Sequence, residues 1–234
     1  MTEITFYGHS TFLLKIGEKE ILFDPFISPN DLASEIDIES INPDYILVTH
    51  GHEDHVADVE SIAKRSGAMV VANYEVATWF SKKGIENYHP MNHGGSKSFD
   101  FGKVKYVNAI HSSTLPDGTP GGNPGGFVVK TDSVCFYFAG DTALTYDMKL
   151  IGKQFEVDFA FFPIGDNFTM DIHDALEAAN FVGTKTIIGM HYNTFPYIEI
   201  DIEAAKKAAE KSGIALILLN IGEKITFDPH RWEK

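Results

Sequence analysis

The stretch Thr49-His50-Gly51-His52-Glu53-Asp54-His55 decides how the rest of the chain is read, because residues 50 to 55 pack three imidazoles and the carboxylate of Asp54 into six positions. It follows a short apolar run, Tyr45 to Thr49, bounded upstream by Pro43, which reads as a buried strand. On an extended chain alternate side chains share a side, so His50 and His52 face the same way. Asp54 and His55 fall just beyond, where the chain turns into a helix, and can face a neighbouring metal. Imidazole nitrogens and carboxylate oxygens suit borderline divalent cations such as zinc. One histidine in a chain carrying ten is ordinarily a packed or surface residue, but four donors at this spacing form a metal signature.

Working outward, the amino-terminal alternation of Ile4 and Phe6 opens an antiparallel meander. Its next strands are predicted at Thr11 to Ile16 and Ile21 to Asp24, with Gly17 to Glu20 as the turn. After the His-rich segment, Val59, Ile62 and Ala63 recur at helical spacing before Gly67. A strand at Met69 to Ala72, a helix over Tyr74 to Lys83 ended by Gly84, and a strand over Lys103 to Ile110 follow. In the second half, Phe127 to Lys130 and Val134 to Phe138 read as a hairpin, Val157 to Pro163 as a buried strand, and Ile172 to Val182 as a helix closed by Gly183. Thr186 to Met190 is a strand that delivers His191. Asp201 caps an Ala-rich helix ending at Gly213, and Ala215 to Leu219 is the last strand predicted. Strands followed by helices, twice over, imply two sheets packed face to face with helices outside, although no sequence repeat is evident. The Gly- and Pro-rich segment Leu115 to Gly126 lacks the Lys-Ser/Thr of a phosphate loop and reads as a surface loop walling the cleft.

A length of 234 residues with 44% hydrophobic content supports one domain over residues 1–234. The longest apolar runs fall far short of the ~20 residues a membrane span needs. No signal-peptide pattern opens the chain, so a cytoplasmic location is expected. The lone Cys135 lies in an apolar run and reads as a small buried hydrophobe without a catalytic role. A formal net charge of -14 disfavours nucleic-acid partners, since such affinity comes largely from Lys and Arg displacing counterions. No basic amphipathic helix points to a membrane surface. The expected partner is a small-molecule substrate.

The His-rich stretch resembles the His-x-His-x-Asp-His motif of the metallo-β-lactamase superfamily, and the resemblance extends along nearly the whole chain. It implies an α/β fold, the four-layer αββα sandwich known as the metallo-β-lactamase fold. It also implies three further ligands: His111 in Ala109-Ile110-His111-Ser112-Ser113, Asp141 in Ala139-Gly140-Asp141-Thr142, and His191 in Gly189-Met190-His191-Tyr192-Asn193-Thr194. By that resemblance His50, His52 and His111 hold one divalent ion, Asp54, His55 and His191 hold a second, and Asp141 bridges them. Zinc is the expected metal, with manganese or iron also accepted by such ligands.

Within the superfamily the chain is similar to short stand-alone hydrolases of the ascorbate-6-phosphate lactonase group. Gly8-His9-Ser10, Asp24-Pro25-Phe26, Met91-Asn92-His93-Gly94-Gly95, Pro163 to Met170 and His191-Tyr192-Asn193-Thr194-Phe195-Pro196 carry that similarity. Asp171-Ile172-His173 departs from the Gly-led turn expected after Met170, which leaves His173 without an assigned role. His9 is read as a site residue, as an outer donor, a substrate contact or a variant ligand. Tyr192, Asn193, Phe168 and His93 are placed on the substrate side, with only loop position recommending His93. His89 and His230 are read as solvent-facing.

The implied activity is hydrolysis by a metal-bridging hydroxide, with Asp54, Asp141 and His9 as catalytic residues, on a small lactone or related ester, phosphorylated or not. Diiron oxygen reductases of the superfamily place a carboxylate where His52 stands, so the all-imidazole first site favours hydrolysis over redox chemistry. A small phosphodiester is the alternative substrate. A metal-binding or sensing protein without turnover is the alternative of another class, disfavoured because seven ligands over two metals leave positions open for water. Family habit admits a homo-oligomer.

Overall fold

In the computed structural model, which describes residues 2–228, β1 (Thr2–Gly8), β2 (Thr11–Ile16) and β3 (Lys19–Phe23) run antiparallel, the meander expected from alternation. The turn is tighter than predicted: β3 begins at Lys19, where Lys19 pairs with Ile16, so only Gly17 and Glu18 remain as turn residues. β4 (Tyr45–Leu47), β5 (Met69–Asn73) and β6 (Tyr88–Met91) then add in parallel, and β14 (Lys224–Phe227) closes the other edge against β1. The second sheet repeats this plan. β7 (Ser96–Phe99), β8 (Gly102–Asn108), β9 (Gly125–Lys130) and β10 (Cys135–Phe138) are antiparallel, and β11 (Phe159–Pro163), β12 (Thr186–Met190) and β13 (Ala215–Ile217) follow in parallel. Each parallel addition requires a crossover: the β3–β4 connection holds only two short 3-10 turns, Asp31–Ala33 and Ile38–Ser40, and α-helices supply the others.

On the first sheet these are α1 (Glu53–Val56), α2 (Val59–Ser66) and α3 (Tyr74–Lys82); on the second, α4 (Met148–Gln154), α5 (Ile172–Val182) and α6 (Ile202–Ser212). Asn73, Asp171 and Asp201 cap α3, α5 and α6, each accepting from the backbone N–H three residues on. The helices cover the outer faces, giving four layers. Between the sheets lies an aromatic seam: Phe23 stacks on Phe138 with centroids 4.5 Å apart, and Phe12 meets Phe161 at 4.7 Å. Each such ring, fully buried, contributes roughly 1.5–3 kcal/mol relative to exposure. A separate cluster, including Ile62, Val70 and Phe80, fastens α2 and α3 to the first sheet.

Cys135 is buried, and burial pushes its thiol up to about 11. His89 faces solvent only in part: it is half-buried in β6 with its ring edge-on to Phe99, and burial lowers it. His230 lies outside the described residues. Leu115 likewise departs from a surface loop, being buried, with its side chain close over Gly51. No helix among the described residues is long and apolar enough to cross a membrane.

Strand direction positions the site. β1, β3, β4, β8, β10 and β12 all discharge their carboxyl ends at one edge of the sandwich, and there stand His9, Asp24, His50, His111, Asp141 and His191. In α/β sheets this is the edge where ligands bind.

Candidate metal centre

The centre of the site is Asp141. Its Oδ2 lies 3.0 Å from His191 Nε2, 3.3 Å from His55 Nε2, 3.5 Å from His111 Nε2 and 3.9 Å from His50 Nε2. The surrounding donors fall into groups tight enough to hold an ion, His50 with His52 and His111, and His9 with Asp54, His55 and His191. All seven residues assigned as ligands from the sequence are therefore brought together, with Asp141 against members of both groups; His9 joins the second group, and Asp24, His50 and His55 form a third that overlaps the others.

Each of three imidazoles is turned by an outer partner. His55 Nδ1–H donates to Asp24 Oδ2 at 2.8 Å, which leaves Nε2 unprotonated toward Asp54 and Asp141 in the neutral ring. Thr49 Oγ1 donates to Asp24 Oδ2 and so accepts from His50 Nδ1–H at 3.0 Å, aiming His50 Nε2 inward. His52 Nε2–H reaches Ser112 Oγ at 3.2 Å, which turns His52 Nδ1 to within 3.0 Å of His50 Nε2. Partners of this kind orient metal-binding imidazoles.

His55 Nε2 and Asp141 Oδ1 are buried without a hydrogen-bond partner; in the neutral ring His55 Nε2 offers a lone pair, and Asp141 Oδ1 offers charge. A divalent cation satisfies both, so the donor set fits such an ion. The electrostatics agree. Burial works to lower His55, yet the carboxylates of Asp141, Asp54 and Asp24 raise it well above its ordinary range. Against the same burial penalty, Asp141 and Asp54 hold His191 up to about 9. Negative potential is thus concentrated where these rings meet, and protons and metal compete for that place. His50, by contrast, is lowered well below its usual value by burial and by His55.

His9 is 2% exposed and engaged at both nitrogens, 2.9 Å from Asp54 Oδ2 and 2.9 Å from Thr194 Oγ1. Burial, then His191, lowers it to about 4, so the ring is neutral. The carboxylate can only accept, hence Nε2 carries the proton and Nδ1 accepts from the threonine hydroxyl. His9 and His191 both have left-handed backbones, φ 55 in each, and His191 N–H donates to His9 O at 2.9 Å. Two non-glycine residues held in this sparse region mark a place where packing overrides local preference.

The turn at Gly140, φ +64, lies so close to Thr49 that an added Cβ would come 2.7 Å from Thr49 Cβ. Gly140→Ala is expected to destabilise the fold by about 2–4 kcal/mol, through the left-handed backbone and the displaced threonine. Denaturant midpoints measure this, and a variant as stable as the parent would show that the Asp141 turn can move away from Thr49.

The remaining sequence candidates are more peripheral. His93 stacks on Tyr106 at 4.9 Å and donates to Pro124 O, and Tyr106 Oη–H donates to Thr49 O at 2.8 Å, so His93 reaches the site through that chain. Asn193 Oδ1 accepts from Ile200 N–H within its own loop. Tyr192 is half-buried against the core, which pushes its hydroxyl up to about 12. Phe168 is exposed. Asp24, Thr49, Ser112 and Thr194 received no roles from the sequence. Asp24 had a signal, a carboxylate before Pro25 at a strand end matching that of β4; the hydroxyl partners had none.

The fold and this constellation define a class. A family model described as a β-lactamase superfamily domain matches residues 3–191. Among curated proteins, a UPF0173 metal-dependent hydrolase of Christiangramia forsetii is 56% identical over 224 residues, covering 95% of this chain and 99% of its own length. One from Flavobacterium johnsoniae is 56% identical over 223 residues, at 95% and 99% coverage. Among solved structures, a metallo hydrolase of the archaeon Ignicoccus hospitalis superposes with a TM-score of 0.88 at 32% identity, covering 97% of this chain and 98% of that one. The chain belongs to the UPF0173 metal-dependent hydrolase family of the β-lactamase superfamily.

Proposed function

We propose that the chain hydrolyses a small lactone or related ester at a dinuclear centre, with His50, His52 and His111 holding one divalent ion, Asp54, His55 and His191 the other, and Asp141 between them. The observation that carries this is the placement of Asp141 Oδ2 within 3.0–3.9 Å of four imidazole Nε2 atoms belonging to both sets. Zinc suits the donors best, and manganese or iron is accepted by the same atoms. When bound, such ions would acidify water toward neutrality and polarise the substrate's carbonyl or phosphoryl oxygen.

The chain's own residues supply orientation. Asp24, Thr49 and Ser112 hold the imidazole lone pairs inward, and His9 holds Asp54 Oδ2 through Nε2–H. His52, Asp54 and His111 are the partly exposed members of the set, so the approach for substrate lies on their side. His9→Ala is expected to keep the metal content and lower kcat roughly 10–100-fold, the usual cost of losing an outer partner. Metal analysis alongside kinetics checks this, and loss of an ion would make His9 a ligand.

The function itself is tested by turnover of metal-loaded protein on matched lactones and small phosphodiesters, with Asp141→Asn as the blank. Lactone hydrolysis absent from the blank is the expected result. Phosphodiester hydrolysis alone would move the assignment to that alternative, and silence on both would remove the lactone reading and leave the substrate class open.

A further inference from the structure

We infer that Phe168 and Tyr197 form the docking platform for the non-reacting part of the substrate, and that this part is an uncharged, flat apolar group in place of a phosphate; the inference rests on the hydrolase reading above. Phe168 is 51% exposed and Tyr197 73%, with ring centroids 6.0 Å apart and planes at 61°. Large aromatic rings left in water side by side, at the edge where the site opens, call for an apolar partner.

The pair is held in place by the site's own loops. After β11, Gly165 lies directly against His191 O, leaving no space for a side chain. Asp166 and Asn167 follow with φ 59 and 52, and Met170 N–H donates to Thr142 O at 3.2 Å, tying the loop to the residue after Asp141. After β12, His191 and Asn193 have φ 55 and 56, and Asn193 N–H donates to Ile198 O at 2.8 Å across the turn that carries Tyr197. Four non-glycine residues in left-handed backbone thus support two exposed rings. Strain of this kind is retained where the surrounding structure uses it.

Charge selects the occupant. Residues 24–30, 50–58, 109–124, 139–147, 164–171 and 191–201, the loops that carry or border the site, contain no Lys or Arg. They carry instead Glu53, Asp58, Asp117, Asp147, Asp166, Asp171, Glu199 and Asp201 beyond the carboxylates of the centre. A phosphate on the substrate's body is ordinarily met by Arg or Lys, or by free N–H groups at a helix start. The helix that follows the Phe168 loop, α5, has one of its first N–H groups already taken by its own cap, since Asp174 N–H donates to Asp171 Oδ1 at 2.8 Å. An anionic tail therefore meets repulsion here, whereas a neutral ring meets Phe168 and Tyr197.

The test uses a γ-lactone bearing a phenyl substituent and the same lactone bearing a phosphomethyl group. Binding is followed by NMR of the Phe168 and Tyr197 rings, and turnover by acid release from metal-loaded protein. The phenyl lactone is expected to bind with shifts in both rings and to show roughly tenfold higher kcat/KM. Phe168→Ala and Tyr197→Ala are each expected to raise its KM roughly three- to tenfold at equal metal content, as loss of an aromatic contact does. Leu150→Ala, an exposed apolar truncation on α4, serves as the unaffected control. Preference for the phosphomethyl lactone, or no ring shifts with the phenyl one, would overturn the inference. Tyr197 ring shifts abolished by Phe168→Ala, without turnover of either lactone, would sustain the platform and remove the lactone-hydrolysis reading.

Discussion

Asp141→Asn is expected to lower turnover of the metal-loaded protein by on the order of 10²- to 10³-fold or more, the largest loss of any conservative change in the chain. The substitution keeps volume and removes charge. Asp141 is 2% exposed, and its Oδ2 is the shared neighbour of His191, His55, His111 and His50. An amide NH₂ at that atom would present protons to lone pairs that converge there; an amide oxygen would present only a partial charge. On the dinuclear reading proposed above, both halves of the centre would lose their common anion in either orientation, so metal affinity is expected to fall at both sites together. Measurement of bound metal against free metal separates this from a defect confined to chemistry. A variant with full metal content and turnover within threefold of the parent would remove Asp141 from between the ions.

The parts of this site that were legible in the sequence share a cause. His50, His111, Asp141 and His191 each follow an apolar run that became a strand, and strand ends gather at one edge once the strands are parallel. The αββα arrangement was legible through the same runs. What escaped reading lacks a buried periodic face. β6 contains Pro90 and has only Met91 buried, and β7 is an edge strand, Ser-Lys-Ser-Phe, without a buried residue. α4 is short and carries Gly152, placed where an added Cβ would come 2.5 Å from Phe181 O. The strands-then-helices repeat was legible, but the seven-strand pairing order that both sheets share was hidden, because it does not live in residue identity.

The outer partners were illegible for another reason. A threonine or serine contributes one hydroxyl, and only the tertiary structure decides whether that hydroxyl faces water or an imidazole. Thr194 and Ser112 reach His9 and His52 from positions 185 and 60 residues away in sequence. Metal ligands form a dense pattern because an ion needs several donors; their supports form none because each imidazole needs a single partner.

Asp24→Asn carries the second large effect, and it acts through a proton. Asp24 is fully buried and accepts three hydrogen bonds, from Thr49 N–H at 2.8 Å on Oδ1, and from Thr49 Oγ1 at 2.6 Å and His55 Nδ1 at 2.8 Å on Oδ2. Its backbone, φ 41, suits Asn as well as Asp, so the substitution adds no new backbone strain. Suppose the amide NH₂ faces His55. Then Nδ1 must become the acceptor, the ring proton moves to Nε2, and Nε2 is the atom directed at Asp54 and Asp141. A protonated nitrogen cannot ligate, so affinity for the ion on that side is expected to fall by more than the usual 10–100-fold of an outer partner. If the amide turns the other way, its NH₂ opposes Thr49 N–H and leaves a buried donor unpaired at a cost of about 1–3 kcal/mol, which lowers the denaturant midpoint. Metal titration and denaturation therefore distinguish the two orientations. Unchanged values in both measurements would show that His55 does not depend on Asp24 for its tautomer.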